Sequence, residues 1–150
     1  MEGILLPNCR NKDACPLDGK CLATETVYKA EVSGPETPKT YIGLTEPPFN
    51  TRYSNHLQSF RHEKYAHSTE LSKHIWDLKR HDVPHDIRWS IAKRARAYNN
   101  ETKRCDLCLT EKLYIMKADR QSRLNKRPEL VSKCRHENKY YLSNFKEEFT

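Results

Sequence analysis

The chain has 150 residues, with 27 lysines and arginines against 20 aspartates and glutamates, for a formal net charge of +7. This length suits one domain with a modest core, and the basic balance favours nucleic acid as a partner over anionic membranes or acidic proteins. No apolar run approaches the ~20 residues of a membrane span, and the N-terminus does not resemble a signal peptide. We therefore expect a nuclear or otherwise intracellular protein that is not secreted and has no membrane partner.

Six cysteines in a chain without a secretion signal favour metal ligation over disulfide bonds, because intracellular thiols stay reduced. Cys9, Cys15 and Cys21 lie among loop-forming residues, so residues 1–25 are predicted to form a Cys-rich arm that a metal anchors. Cys105 and Cys108 have the spacing of half of a tetrahedral zinc site. We expect structural zinc here and a second region, residues 26–150, that carries the fold.

Alternating apolar residues predict strands over residues 27–32 and 39–44. A turn centred at Gly34 and Pro35 would place Tyr28 directly opposite Tyr41. Helical spacing over residues 50–60 follows, with Arg52 and His56 one turn apart.

The second half predicts three further elements. A second helix begins at Ser68 or Thr69 and ends before Pro84, and residues 87–91 alternate as a third strand. A third helix begins near residue 105 with Glu111 at the edge of its apolar face. The order β-β-α-α-β-α predicts an α+β fold, a small sheet with helices around it. The expected core stripe of the third helix is Leu109, Leu113 and Met116.

Tyr28, Tyr41, Arg52 and Glu111 together supply the groups that phosphodiester hydrolysis needs. An arginine binds phosphate oxygens and a carboxylate holds Mg²⁺ or Mn²⁺. A tyrosine beside the two can have its pKa lowered enough to serve as a proton acceptor. Each residue alone has a simpler interpretation, as a half-buried tyrosine, a solvated charge or an ion-pair partner. Their order along the chain favours the catalytic interpretation.

That order resembles the GIY-YIG nuclease superfamily. The resemblance rests on residues 26–28, with Thr26 where the family has glycine, on Tyr41-Ile42-Gly43, and on the polar residues that follow. It implies a three-stranded antiparallel sheet. The polar positions that match the family's functional residues are Arg52, His56, His67, Glu111 and Asn125.

Within that superfamily the chain is most similar to the endonuclease domain of Penelope-like retroelements, through residues 15–22, 69–76, 103–109, 124–127 and 134–138. The resemblance implies a Mg²⁺-dependent nickase that cuts target DNA for integration, with a reverse transcriptase in the same polypeptide. It implies that Tyr28 or Tyr41 is the general base, with Tyr28 preferred, that Arg52 stabilises the transition state and that Glu111 holds the metal. His67 and Asn125 are expected to orient substrate or water, and His56 to support them.

Two questions stay open from the sequence. The leading zinc ligand set is Cys15, Cys21, Cys105 and Cys108, but Cys134 and His136 could complete the Cys105–Cys108 half-site or join Cys9 in a second site. The alternative functions are a zinc-stabilised nucleic-acid-binding module without catalysis, or a repair-type or restriction-type nuclease on the same fold.

Overall fold

The computed structural model describes residues 15–17, 19–96, 101 and 105–126. These residues form an α+β fold with a three-stranded antiparallel sheet and three α-helices. The element order matches the order predicted from the sequence. The elements are β1 (Thr26–Ser33), β2 (Lys39–Thr45), α1 (Phe49–Arg61), a short 3-10 helix (Glu63–Tyr65), α2 (Glu70–Arg80), β3 (Asp86–Arg94) and α3 (Asp106–Lys117).

The sheet has the strand order β2-β1-β3, so that β1 pairs with both neighbours. Tyr28 pairs with Gly43, and Tyr41 pairs with Ala30. The predicted pairing of Tyr28 with Tyr41 was therefore wrong by two residues, because the turn is centred at Pro35 and Glu36 rather than one residue earlier. A shift of two residues preserves the face on which each side chain lies, so both tyrosines still share one face of the sheet.

The two faces of the sheet are covered by different helices. Tyr28, Ala30, Val32 and Tyr41 pack in one cluster with apolar residues of α1 and α2. Val27 and Ile42 point the other way and pack against α3. The strict alternation of the strands thus separates two cores. The first cluster includes Phe49, Phe60, Leu71 and Ile75, and the second includes Cys105, Leu107, Cys108 and Ile115.

The buried face of α3 differs from the predicted one. Leu107, Cys108, Glu111 and Ile115 are buried, whereas the expected stripe of Leu109, Leu113 and Met116 is only half-buried. Both sets have helical spacing, so periodicity alone could not choose between them. Packing decides which face of α3 is buried, because Leu107 and Ile115 cover Val27 and Ile42 on the sheet.

Backbone carbonyl groups at the end of the N-terminal arm cap the first turn of α1. Pro48 precedes this helix and provides no side-chain cap. Instead, Phe49 N–H donates to the Ala23 carbonyl at 2.9 Å and Asn50 N–H donates to the Cys21 carbonyl at 2.7 Å. Backbone carbonyls therefore satisfy N–H groups that a helix start leaves without partners. The arm is thereby joined to the helix that carries Arg52.

The second helix begins as predicted, with Thr69 as its N-cap. The Thr69 hydroxyl accepts a hydrogen bond from Ser72 N–H at 3.0 Å. Among the described residues, no helix has the length and apolar character needed to cross a bilayer.

Candidate active site

The fold brings together polar side chains from β1, β2, α1 and α3. Tyr28 Oη lies 2.7 Å from His56 Nε2, and Arg52 Nε donates to the same phenol oxygen at 3.3 Å. Tyr41 stands against His56, with ring centroids 5.9 Å apart. Residues 28, 41, 52 and 56, far apart in sequence, thus form one connected group.

The Tyr28 ring needs a glycine as its neighbour on β2. Tyr28 and Gly43 pair across the two strands, and the ring lies against the glycine backbone. A Cβ built on Gly43 would come within 2.8 Å of Tyr28 Cε2 and closer still to Cζ and Oη. Gly43 is thus required by close approach of the aromatic ring.

Thr26 stands where the resembled family has a glycine, and it fits the strand. It pairs with Thr45 on one side and Arg94 on the other, and it is fully buried. The positive φ of 49° belongs to the preceding residue, Glu25. A β-branched residue at position 26 is therefore compatible with the local backbone.

The Tyr28–His56 pair is neutral. Burial raises the pKa of Tyr28 to about 12, against the lowering effect of Arg52. Burial, together with the nearby Arg52 charge, lowers the pKa of His56 to about 3. Since Arg52 already donates to the phenol oxygen, the phenol hydrogen is available for His56 Nε2.

Arg52 is held between the two tyrosines. Burial lowers its pKa, but interactions with Tyr28 and Tyr41 outweigh this effect and raise the pKa above its usual value. Two polar clefts in the surface meet at this residue and at Asn55. A permanently charged guanidinium therefore stands at the junction of the two clefts.

We call the first of these the Glu111 cleft. It has a volume of about 330 Å³, and Tyr41, Arg52, Glu46 and Glu111 contribute to its walls. Glu111 Oε1 accepts a hydrogen bond from Lys112 Nζ at 2.9 Å, and both side chains are largely buried. A buried ion pair of this kind keeps the carboxylate compensated.

Sequence reasoning missed Glu46 and Lys112. The only signal for Glu46 was its position two residues after the predicted strand 39–44, where side chains reach the edge of a sheet. Lys112 gave no signal, because a lysine beside an apolar helical pattern normally lies in solvent. It lies only 4% exposed here.

Asn125 was expected to orient substrate or water, and in the structure its side-chain amide pairs with the backbone of Ile42. Its Oδ1 accepts a hydrogen bond from Ile42 N–H at 2.7 Å, and its Nδ2 donates to the Ile42 carbonyl at 2.8 Å. Residues 122–124 run beside Thr40 through two backbone hydrogen bonds and thereby bring Asn125 to β2. The side chain continues this edge and fixes the backbone between Tyr41 and Gly43.

His67 is exposed in the segment before α2, and it makes no hydrogen bond or ion pair with the other described residues. It does not line either cleft that meets at Arg52. The structure thus brings Tyr28, Tyr41, Arg52, His56 and Glu111 together and leaves His67 outside that group.

The cysteines divide between the two faces of the sheet. Cys15 and Cys21 pack with the Tyr28 cluster, and Cys105 and Cys108 with the Val27 cluster. Within the described part of the chain, no three His, Cys, Asp or Glu residues are placed to hold a metal ion. The leading quartet is not assembled as such a group. Ligand sets that include Cys9, Cys134 or His136 lie outside the described residues.

Cys15 nevertheless has one feature of a thiolate environment. Its Sγ accepts a hydrogen bond from Leu17 N–H at 3.4 Å, in a turn that Lys20 N–H closes on the Leu17 carbonyl. A backbone N–H bonded to a cysteine sulfur in a tight turn is compatible with metal ligation by that sulfur. The expectation of zinc stays a prediction.

Comparison with protein-family models, with curated proteins and with solved structures finds no match for this chain. The candidate site is therefore defined by its own geometry. What it can do has to be argued from the chemistry of the grouped side chains.

Proposed function

We propose that this chain is a metal-dependent DNA endonuclease domain of the GIY-YIG type that nicks one strand. The observation that carries the proposal is one cleft walled by the Tyr41 phenol, the Arg52 guanidinium and the Glu111 carboxylate from three separate elements. Behind this cleft, the buried Tyr28 phenol accepts a hydrogen bond from Arg52 and lies 2.7 Å from His56 Nε2. Binding nucleic acid alone would not require a buried Tyr28–His56–Arg52 network, whereas placing a reactive group does.

The residues of the Glu111 cleft fit a Mg²⁺ or Mn²⁺ ion. Glu46 and Glu111 offer carboxylate oxygens, the donors that these hard cations prefer. One or two carboxylates suffice for Mg²⁺, since water and substrate phosphate fill the remaining positions. When bound, the ion would neutralise charge on a phosphate oxygen as a Lewis acid. Glu111 would hold it, with Glu46 as the second candidate.

Arg52 is the phosphate-binding residue of the proposal. Its Nε is fixed by Tyr28, which orients the planar guanidinium without consuming its terminal nitrogens in that contact. An oriented guanidinium makes paired hydrogen bonds to phosphate oxygens and stabilises the charge that develops during hydrolysis. Its raised pKa keeps it charged at every working pH.

Tyr41 is the phenol that can meet a water molecule in the cleft. Tyr28 has no exposed surface, whereas Tyr41 lines the Glu111 cleft and is 6% exposed. The proposal therefore departs from the preference for Tyr28 as general base. Tyr41 in its phenolate form would take the proton of the attacking water and become a neutral phenol, and Arg52 beside it would stabilise the phenolate before this transfer. Tyr28 and His56 would hold Arg52 in place.

A single site of this kind cuts one strand per encounter, so a monomer would nick duplex DNA. The resemblance to retroelement endonucleases extends the proposal to nuclear target-site nicking beside a reverse transcriptase in the same polypeptide.

Nicking of supercoiled plasmid in the presence of Mg²⁺ tests the proposal. We expect Glu111→Gln to lower the nicking rate by at least about 100-fold, because the metal-holding carboxylate is lost. Glu31→Gln is the matched control, since Glu31 is exposed on β1. Equal rates for wild type and Glu111→Gln would refute the nuclease. If neither protein nicks but both bind DNA equally, the noncatalytic binding module is the correct alternative.

A further inference from the structure

A second polar cleft meets the Glu111 cleft at Arg52 and Asn55. We call it the Tyr65 cleft; it has a volume of about 280 Å³. Tyr65, Ser68 and Thr69 form the wall that faces α1. A DNA strand whose phosphate is bound at Arg52 would extend into both clefts. No residue of this wall has a role in the chemistry proposed above.

Tyr65 is the exceptional residue of this wall. It is 36% exposed, and no other large hydrophobic side chain among the described residues is as open to solvent. Lys64 Nζ lies 5.0 Å from the centroid of the Tyr65 ring, which places a cation beside it. An accessible aromatic ring next to cationic groups is the usual platform for a nucleotide base.

The wall is built on a connected set of hydroxyl groups. Ser72 Oγ lies 2.5 Å from Ser59 Oγ and 3.3 Å from Ser68 Oγ, and the Thr69 hydroxyl donates to it at 3.2 Å. Ser59 and Ser72 are buried, so this network fixes the residues above it. Ser68 and Thr69 thereby present hydrogen-bonding groups to the cleft in a stable arrangement.

The charge of the Tyr65 cleft differs from that of the Glu111 cleft. Among the described residues, no aspartate or glutamate lines it, whereas two glutamates line the other. Glu63 and Glu70 on the flanking segments are paired with Arg80 and Lys73. A nucleotide would therefore meet neutral polar groups and Arg52 here without carboxylate repulsion.

We infer that the Tyr65 cleft binds the nucleotide next to the phosphate held at Arg52, with its base stacked on Tyr65. The inference rests on the proposed function, because it takes Arg52 as the phosphate contact. A base can present its face to a tyrosine only where it is unpaired. The substrate class is therefore DNA with an unpaired nucleotide beside the cleavage site, which negative supercoiling can supply in a plasmid, rather than a relaxed and fully paired duplex.

Binding of a short oligonucleotide with an unpaired 2-aminopurine tests this subsite. The titration is done in EDTA, so that hydrolysis is not required. For wild type we expect quenching of the 2-aminopurine fluorescence. Tyr65→Ala should lose the quenching and raise the Kd by about 5- to 150-fold, the range of one base–aromatic stack. Tyr65→Phe keeps the ring and should stay within about twofold of wild type.

The same oligonucleotide annealed into a full duplex is the control ligand, for which wild type and Tyr65→Ala should bind alike. Equal binding of the unpaired probe by wild type and Tyr65→Ala overturns the subsite, whatever the nicking assay gives. A Tyr65→Phe variant that binds the unpaired probe as weakly as Tyr65→Ala also overturns the subsite. A wild type that never nicks but shows the Tyr65-dependent quenching refutes the nuclease and supports the nucleotide subsite.

Discussion

Tyr28 and Gly43 face each other across β1 and β2, and the tyrosine ring occupies the space that a side chain at position 43 would fill. This contact brings the phenol oxygen to Arg52 and His56. Gly43 in one strand and Tyr28 in the next therefore act together to place this phenol. The glycine belongs to the site although it carries no functional group.

Gly43→Ala is expected to disrupt this contact. The added methyl group would clash with the fully buried Tyr28 ring, and overpacking of this kind costs about 1–3 kcal/mol of unfolding free energy. Nicking should fall as well, because Tyr28 orients Arg52. Gly34→Ala is the matched control, since its Cβ would lie 3.4 Å from the Pro84 carbonyl oxygen, an ordinary contact. Urea denaturation measures both variants, and equal stability for the two would contradict the close-approach argument.

The sequence predicts on which face of the sheet each strand residue lies, but it does not predict which residues pair across the strands. Alternation places Tyr28 and Tyr41 on one face and Ile42 on the other wherever the turn lies. The pairing depends on the centre of the turn, which loop composition does not determine for Gly34 to Pro38. The sequence thus predicted that the two phenols share a face but not that Tyr28 meets Gly43.

The same limit applies to α3 and to the charged groups. Two apolar stripes of equal spacing run along this helix, and only contact with Val27 and Ile42 selects the one that includes Glu111. Buried charges such as Lys112 follow from tertiary packing and have no local pattern. Asn125 was singled out for its position, but its task of fixing the backbone of Ile42 appears only in three dimensions.

The two tyrosines are expected to differ when their hydroxyl groups are removed. Tyr41→Phe should lower nicking by about 100-fold or more, because the proposed proton acceptor is lost, and should cost about 0.5–1.5 kcal/mol of stability through its lost hydrogen bond to Arg52. Tyr28→Phe should lower nicking, because Tyr28 orients Arg52. It should also cost about 1–3 kcal/mol of stability, since a buried hydroxyl shared by Arg52 and His56 is lost.

Nicking assays and urea denaturation on the same preparations separate the two cases. Tyr53→Phe is the control, because the Tyr53 ring packs on Phe49 and Trp89 while its hydroxyl has no described hydrogen bond. A Tyr41→Phe protein that nicks at the wild-type rate would refute Tyr41 as the proton acceptor.

Asn125→Ala is expected to destabilise the chain by about 2–4 kcal/mol, because it leaves the buried Ile42 N–H and carbonyl groups without their partner. Amide hydrogen exchange at Ile42 should accelerate in parallel. Asn55→Ala removes the same side chain from an exposed position on α1 and should change stability by less than about 0.5 kcal/mol. Unchanged protection of the Ile42 amide would show that the side-chain pairing is dispensable.

Zinc content is expected to depend on Cys108 and Cys134 together rather than on Cys15. Cys15 packs on the opposite face of the sheet from Cys105 and Cys108, and the described residues alone contain no three-ligand group. A site around Cys105 and Cys108 therefore needs a ligand from outside them. Elemental analysis of the full chain should show zinc in wild type and Cys15→Ser and its loss in Cys108→Ser and Cys134→Ser. Zinc lost only with Cys15→Ser would restore the N-terminal half-site.

His56 should make the stability of the fold depend on pH in the acid range. Its pKa is about 3 in the folded chain and about 6.5 when unfolded, so between these values the unfolded state binds one more proton. The contribution of His56 to stability should be constant above pH 6.5 and fall by up to about 1.4 kcal/mol for each pH unit between 6.5 and about 3. His56→Gln cannot titrate, so the stability difference between wild type and this variant should narrow as the pH falls from 7 to 4.

Urea denaturation at each pH measures that difference. Ser59→Ala, which removes a neighbouring buried hydroxyl that does not titrate, should differ from wild type by the same amount at every pH. Because His56 stays neutral in the folded chain down to about pH 3, its hydrogen bond with the Tyr28 hydroxyl should persist between pH 7 and pH 4, and over that range its titration should lower stability but not the nicking rate of the folded chain. If the gap between wild type and His56→Gln is the same at pH 7 and pH 4, then His56 is not held neutral by burial. In that case the Tyr28–His56 hydrogen bond has a different protonation from the one argued here.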